Sequence, residues 1–325
     1  MASKQIRICA MGAASQDVFI SGSQISAVCD VKTKECVESF PLGAKIDVDK
    51  VVFDIGGGAT NAAVTFSRQG LQASFIGKIG DDVAGHAVIR CLDEEDIMAE
   101  HVVIDKKFGT QYSTILLADT GERSILIYRG AANDHHIVDY EDVDYSKYDW
   151  LYLSSFGGSM KALSSVIKNA AKSGVNIAIN PGKGELEASQ ELAELLPLVS
   201  LISVNKEEAE KLVDGSTIED LALKLAQSVD MVLVSDGPNG SVATDGEMLY
   251  KAGMYDDVIV IDRTGSGDAF TSGFVSQIAQ GEILKDALIF ASANSTSVVT
   301  KIGSKKGILH KGAKIHDMKI TEVEI

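Results

Sequence analysis

The chain has 325 residues, 45% of them hydrophobic, and a formal net charge of −16. That length suits one large α/β domain, alone or with a small accessory part, and the acidic balance argues against nucleic acid, whose phosphates need a basic surface. No stretch is long and apolar enough to cross a bilayer, so no membrane role is expected. The start, Met1 to Cys9, runs straight into a strand-like pattern without a signal-peptide core, which points to a cytoplasmic protein. Cys9, Cys29, Cys36 and Cys91 lack metal-ligand spacing and read as ordinary thiols.

Gln5 to Ala10 reads as a strand, followed by a loop that carries Asp17. Short alternating runs over 26–53, broken by Pro41-Leu42-Gly43, suggest a few antiparallel strands with one open face. Gly56-Gly57-Gly58-Ala59-Thr60-Asn61 opens a helix predicted over Thr60 to Gln69, with Gly70 as its stop. A strand at 73–78 and a helix at 83–92 follow. The runs at 112–118 and 124–128 form a hairpin across Asp119-Thr120-Gly121-Glu122.

From Trp150 the pattern changes. Continuous apolar runs at 150–153, 175–179, 201–204 and 231–234 alternate with helical patterns at 160–172, 186–196, 207–213 and 218–228. Such alternation predicts a mainly parallel sheet covered by helices on both faces. Val258 to Ile261 reads as a further buried strand. Helices are expected at 269–280 and 283–299, and 314–325 alternates like an edge strand.

Ligands of open parallel sheets sit beyond the carboxyl ends of the strands. Small and polar groups stand there: Ser154-Ser155-Phe156-Gly157, Asn180, Asn205 with Glu208, and Ser235-Asp236-Gly237. The richest stretch is Asp262-Arg263-Thr264-Gly265-Ser266-Gly267-Asp268. Free N–H groups at the following helix start make an anion site, and a carboxylate beside it suits proton removal during phosphoryl transfer. The same Asp is also an ordinary favourable first-turn acid. Asn205-x-x-Glu208 is equally a capping box or a support for magnesium-bound phosphate. His135-His136 has no metal partners at ligand spacing and reads as a solvated loop. Phe270 stands where a dinucleotide fingerprint needs its third glycine, and no P-loop occurs, so an oxidoreductase reading is remote.

In this order and spacing the motifs resemble the ribokinase-like (PfkB) carbohydrate kinases, over roughly Ile6 to Leu309. The carriers are Gly56, Gly57 and Asn61, the Asn205/Glu208 pair, Ser235-Asp236-Gly237-Pro238-Asn239-Gly240, and Asp262 to Asp268. The resemblance implies a doubly wound α/β domain spanning 1–325. A β-strand lid would be built from about 26–53 plus the 112–128 hairpin. It implies ATP-dependent phosphorylation of a primary hydroxyl of a small sugar, with Asp268 as general base and the Gly265, Ser266 and Gly267 amides as anion hole. It places Asp17, Gly56, Gly57 and Asn61 on substrate hydroxyls. Asn180, Asn205, Ser235, Gly237, Gly240 and Asn294 fall on the nucleotide. Glu208 falls on Mg2+, directly or through water, and Asp262 and Thr264 beside a monovalent cation such as K+. Some members also use the lid as a homodimer interface. A nucleoside as acceptor, and a non-catalytic sensor on the same fold, stand as alternatives. Gly58 and Ala59 replace a basic residue common in phosphosugar kinases, which favours an unphosphorylated substrate. Ser266 replaces the usual Ala, and Arg263 the usual Thr; the resemblance does not explain Arg263.

Overall fold

A computed structural model describes residues 5–29, 36–118, 123–255 and 257–325. In chain order the first elements are β1 (Arg7–Met11), β2 (Ser15–Ser21), β3 (Ala27–Cys29), β4 (Cys36–Glu38), β5 (Lys50–Gly56) and α1 (Gly58–Arg68). Next come β6 (Gln72–Ile76), β7 (Lys78–Gly80), α2 (Val83–Glu94), β8 (Val103–Asp105), β9 (Gln111–Leu117) and β10 (Arg123–Tyr128). The middle holds β11 (Trp150–Leu153), α3 (Met160–Lys172), β12 (Asn176–Ile179), α4 (Lys183–Glu187), α5 (Ser189–Leu195), β13 (Leu201–Asn205), α6 (Lys206–Ala209) and α7 (Ile218–Leu225). The chain closes with β14 (Met231–Ser235), β15 (Ser241–Thr244), β16 (Met248–Ala252), α8 (Ser266–Ala279), α9 (Leu284–Val299) and β17 (Ile320–Glu324).

The main sheet has nine strands in the order β17-β16-β15-β14-β13-β12-β11-β1-β6. From β6 to β14 the pairs are parallel, and β15 to β17 continue antiparallel. Alternation along each strand feeds two cores. Cys9, Met11, Leu151 and Leu153 pack on the side of α3, α5 and α7. Ile8, Ala10, Trp150 and Tyr152 pack on the side of α1, α2, α8 and α9. Strands buried on both faces must be apolar at every position, which is why these runs were continuous in the sequence. No helix among the described residues is long and apolar enough to cross a membrane.

A second sheet, β10-β9-β2-β5, stands over the carboxyl end of the first. Asp17 lies inside its strand β2, opposite Asp54 and Ser113, and not in a loop as the sequence suggested. The 26–53 region supplies β5 to this sheet, while β3 and β4 form a separate two-stranded piece. The hairpin turn predicted at 119–122 lies outside the described residues, but its strands pair as expected. Cys36 is disulfide-bonded, against its reading as an ordinary thiol. Its register partner across the β3–β4 ribbon is Cys29. Cys9 and Cys91 are free.

The expected buried strand at Val258–Ile261 is absent: the segment is irregular and Ile259 is 83% exposed. The antiparallel extension through β15 to β17 occupies the edge such a strand would have joined. Instead the segment is tied to the end of α9, where Ile261 and Asp262 donate their N–H groups to the Val299 carbonyl. Val258 and Val260 become part of the wall of a pocket.

Candidate active site

The turn into α8 sits at the junction of two pockets. Gly265, the N-cap, has a left-handed φ of 76°, which glycine adopts without penalty. A side chain there would strike Ser304. Ser266, Gly267 and Asp268 then form the first helical turn at the positive end of the helix dipole; the Ser266 N–H donates to the Arg263 carbonyl at 3.3 Å. Asp262 anchors this turn. Its Oδ1 accepts from the Thr264 N–H (2.9 Å) and hydroxyl (2.7 Å), and its Oδ2 from the Gly303 N–H (3.0 Å). Asp262 thus ties the Thr264 turn to Gly303.

One pocket holds the predicted nucleotide loop. Ser235, Gly237 and Gly240 line it together with Val258, Val260, Arg263, Ser266, Gly267, Phe270 and the α9 face of Ser292, Ser295, Thr296 and Val299. Gly237 and Gly240 have φ of 50° and 100°. Arg263, unexplained by the motif, is exposed at this pocket. Asn294 corrects its sequence reading. It is 0% exposed, donates to the Ala269 carbonyl (2.8 Å) and accepts from the Leu309 N–H (2.9 Å), so it staples α8, α9 and the tail. The helical period turns Ser292, Ser295 and Thr296 toward the pocket and Asn294 away from it.

The other pocket lies between the second sheet and the strand ends. Gly57, Gly58, Ser154, Asn180, Glu208 and Asp268 line it, with Gln111, Arg129 and Asn133. Gly57 has φ 98° and abuts the Ala13 carbonyl, so the backbone comes close with no room for a side chain. Gly56 is packed against the Asp17 carboxylate. Asp17 is 6% exposed and accepts from the Ser15 hydroxyl at 2.9 Å. Burial pushes its pKa up, against hydrogen bonds from Ser113 and Ser15 and the charge of Lys305. Asn180 donates to the Ser203 carbonyl (2.9 Å). Asn205 and Glu208 form the reciprocal capping box, each N–H bonded to the other's side chain at 2.9 Å. Burial raises the Glu208 pKa, and a single carboxylate facing a pocket fits magnesium, which keeps most of its waters.

Asp268 is the centre of the arrangement. Asn61, 3% exposed, donates its Nδ2 to Asp268 Oδ2 at 2.7 Å. The Asn61 Oδ1 is taken by Ser304 Oγ (2.9 Å) and Lys305 Nζ (2.5 Å). The sequence suggested that Asn61 both donates to and accepts from substrate hydroxyls, yet its acceptor is already engaged; only its second N–H remains. Burial raises the Asp268 pKa, and the Asn61 hydrogen bond and Lys305 charge oppose the rise.

Gln111, Arg129, Asn133 and Lys305 were missed from the sequence. Gln111 and Arg129 flank the base of the hairpin, so its ends were the available signal. Lys305 gave none.

The pfkB family carbohydrate kinase profile matches residues 25–311. The chain belongs to this family. It is 28% identical to the ribokinase of Haemophilus influenzae, over 78% of this chain and 83% of that one. It is 26% identical to a probable fructokinase-6, chloroplastic, of Arabidopsis thaliana, over 81% and 73%. Its fold matches the ribokinase of Cryptococcus neoformans var. grubii in complex with ADP, with TM-score 0.73, 21% identity and coverage of 94% and 97%. The chain is thus a kinase of the ribokinase family that phosphorylates a hydroxyl group.

Proposed function

We propose that the protein transfers the terminal phosphoryl group of ATP to a primary hydroxyl of a small sugar, with Asp268 as general base. One observation carries this reading. Three consecutive residues join the two pockets: Ser266 and Gly267 line the pocket of the nucleotide loop, and Asp268 lines the other. A donor in the first pocket and an acceptor in the second would meet at the start of α8.

The acceptor oxygen attacks the γ-phosphorus. A new O–P bond forms, the bond to the bridging oxygen breaks, and its electron pair leaves with ADP. The acceptor proton passes to Asp268. The amides of Gly265, Ser266 and Gly267 hold the charge on the phosphoryl oxygens as it redistributes. Asp17 and the free N–H of Asn61 orient sugar hydroxyls, and close approach at Gly56 and Gly57 lets the backbone take part. Ser235, Gly237 and Gly240 hold the nucleotide, with Asn180 and Asn205 near its phosphates. Glu208 would hold Mg2+ through water, and the ion would neutralise phosphate charge. The second sheet would close as a lid and exclude water. Its exposed Phe53, Ile125, Leu126 and Ile127 support pairing with a second copy of this chain.

The test is Asp268→Asn. General-base catalysis contributes about 10²- to 10⁴-fold, so ADP release with a sugar panel should fall by that order while ATP binding by calorimetry is unchanged. Undiminished turnover would remove Asp268 from the role.

A further inference from the structure

Lys305 is the least expected residue of the site. Lysine is almost never fully buried unless paired, yet Lys305 is 4% exposed. Its Nζ donates to the Ile55 carbonyl, to Thr60 Oγ1 (3.2 Å) and to Asn61 Oδ1 (2.5 Å). An ammonium has three donors, and three acceptors use them, so none is left for a substrate or a phosphate. Three carboxylates on three different elements surround it: Asp17 on β2, Asp54 on β5 and Asp268 on α8. The Cys91 thiol on α2 also interacts with it. Asp54 Oδ2 is buried without a hydrogen-bond partner among the described residues, so its field is not quenched locally.

We propose that Lys305 is a positioning residue for phosphoryl transfer, holding the Asn61 amide so that its nitrogen faces Asp268 and serving as the fixed counter-charge of that carboxylate. A lysine can only donate, so the Asn61 atom beside it must be the oxygen. The nitrogen is thereby turned toward Asp268, and the amide cannot flip without placing N–H groups against an ammonium. The counter-charge matters as much. Burial favours the protonated form of Asp268, and a protonated acid cannot accept the substrate proton. Lys305 opposes that rise, together with the Asn61 hydrogen bond.

The proposal rests on Asp268 acting as the base, and its test separates the two claims. Carboxyl carbon NMR, with Asp268 assigned by comparison with Asp268→Asn, should show the Asp268 midpoint moving to higher pH in Lys305→Met. Lys305→Gln keeps a donor but no charge, and should move the midpoint with less loss of rate. In turnover, kcat should fall about ten- to a hundredfold in Lys305→Met, part of the general-base contribution. The acid limb of its pH profile should shift upward with KM for ATP unchanged. If both substitutions prevent folding, the reciprocal measurement remains. In Asp268→Asn, with Lys305 intact, the Lys305 ε-carbon should titrate at lower pH than in the wild type. A folded Lys305 variant with unmoved titration and acid limb, or an unmoved Lys305 titration in Asp268→Asn, overturns the proposal. A wild type that transfers no phosphoryl group while these titrations move would instead overturn the kinase mechanism and leave the coupling standing.

Discussion

Gly58 offers the sharpest separation of folding from chemistry. A Cβ at this position would collide with Ser154 Oγ, lie 3.4 Å from Ser154 Cβ, and sit 3.3 Å from Asp268 Oδ1. Gly58 is a first-turn helical residue without a positive φ, so alanine costs nothing in backbone strain. The collision with Ser154 is therefore the main stability term, about 1–3 kcal/mol for overpacking a buried site. Adding Ser154→Ala removes the offending oxygen and leaves an ordinary contact. The double variant Gly58→Ala/Ser154→Ala should regain most of the lost melting temperature. Activity should not return. An acceptor hydroxyl must approach Asp268 to within about 2.6–3.2 Å to hand over its proton, and the new methyl occupies that approach. A displacement of about 1 Å costs on the order of a hundredfold in rate. A coupled assay of ADP release, run beside thermal melts of the wild type, both single variants and the double, would read both quantities. Ser154→Ala alone should stay close to wild type in stability. Wild-type turnover in a stable double variant would refute the placement of the acceptor beside Gly58.

Asp268→Asn should also raise Tm at pH 7. Burial lifts the folded-state pKa of Asp268 above its unfolded value, so the folded protein binds the proton more tightly and loses stability as pH rises through that window. The gain should vanish at pH below the unfolded carboxylate range, where both states are protonated; equal melts at every pH would contradict it. Gly240→Ala should raise KM for ATP at least severalfold, because φ is 100° and the Cβ would strike the Ala252 carbonyl, a strain of order 1–3 kcal/mol. Unchanged nucleotide affinity by calorimetry would exclude Gly240 from the donor loop. Phe53→Asp, on the exposed face of the second sheet, should shift the mass seen by sedimentation from dimer to monomer. A monomeric wild type would dispose of pairing through that face.

Local pattern carried the parallel core well. The predicted helix at 160–172 is α3 as observed, because an amphipathic helix between two buried strands states both its period and its ends. Val258–Ile261 failed for the opposite reason. Apolarity was read as burial in a sheet, whereas Val258 and Val260 line a pocket and Ile259 and Ile261 are exposed, and hydropathy does not distinguish a core from a cavity wall. Asp17 was read in a loop because β2 opens on the polar run Ser15-Gln16-Asp17. Asn294 was placed by motif analogy, and only the helical phase shows it pointing inward.

The assembly around Asp268 shows what chain order hides. Asn61 reaches the base across 207 residues of sequence, and Lys305 reaches Asn61 across 244. Each side chain alone has a bland reading: a helical asparagine, a lysine in a polar tail, a first-turn aspartate. Packing converts them into one chain of donors and acceptors whose direction is fixed by the ammonium at its far end. A carboxylate placed at an anion-binding helix start needs nearby positive charge to remain ionised before the phosphates arrive. That charge cannot come from the exposed Arg263, which lines the nucleotide pocket. It comes from a lysine already saturated with protein acceptors, one that supports the base without competing for the substrate.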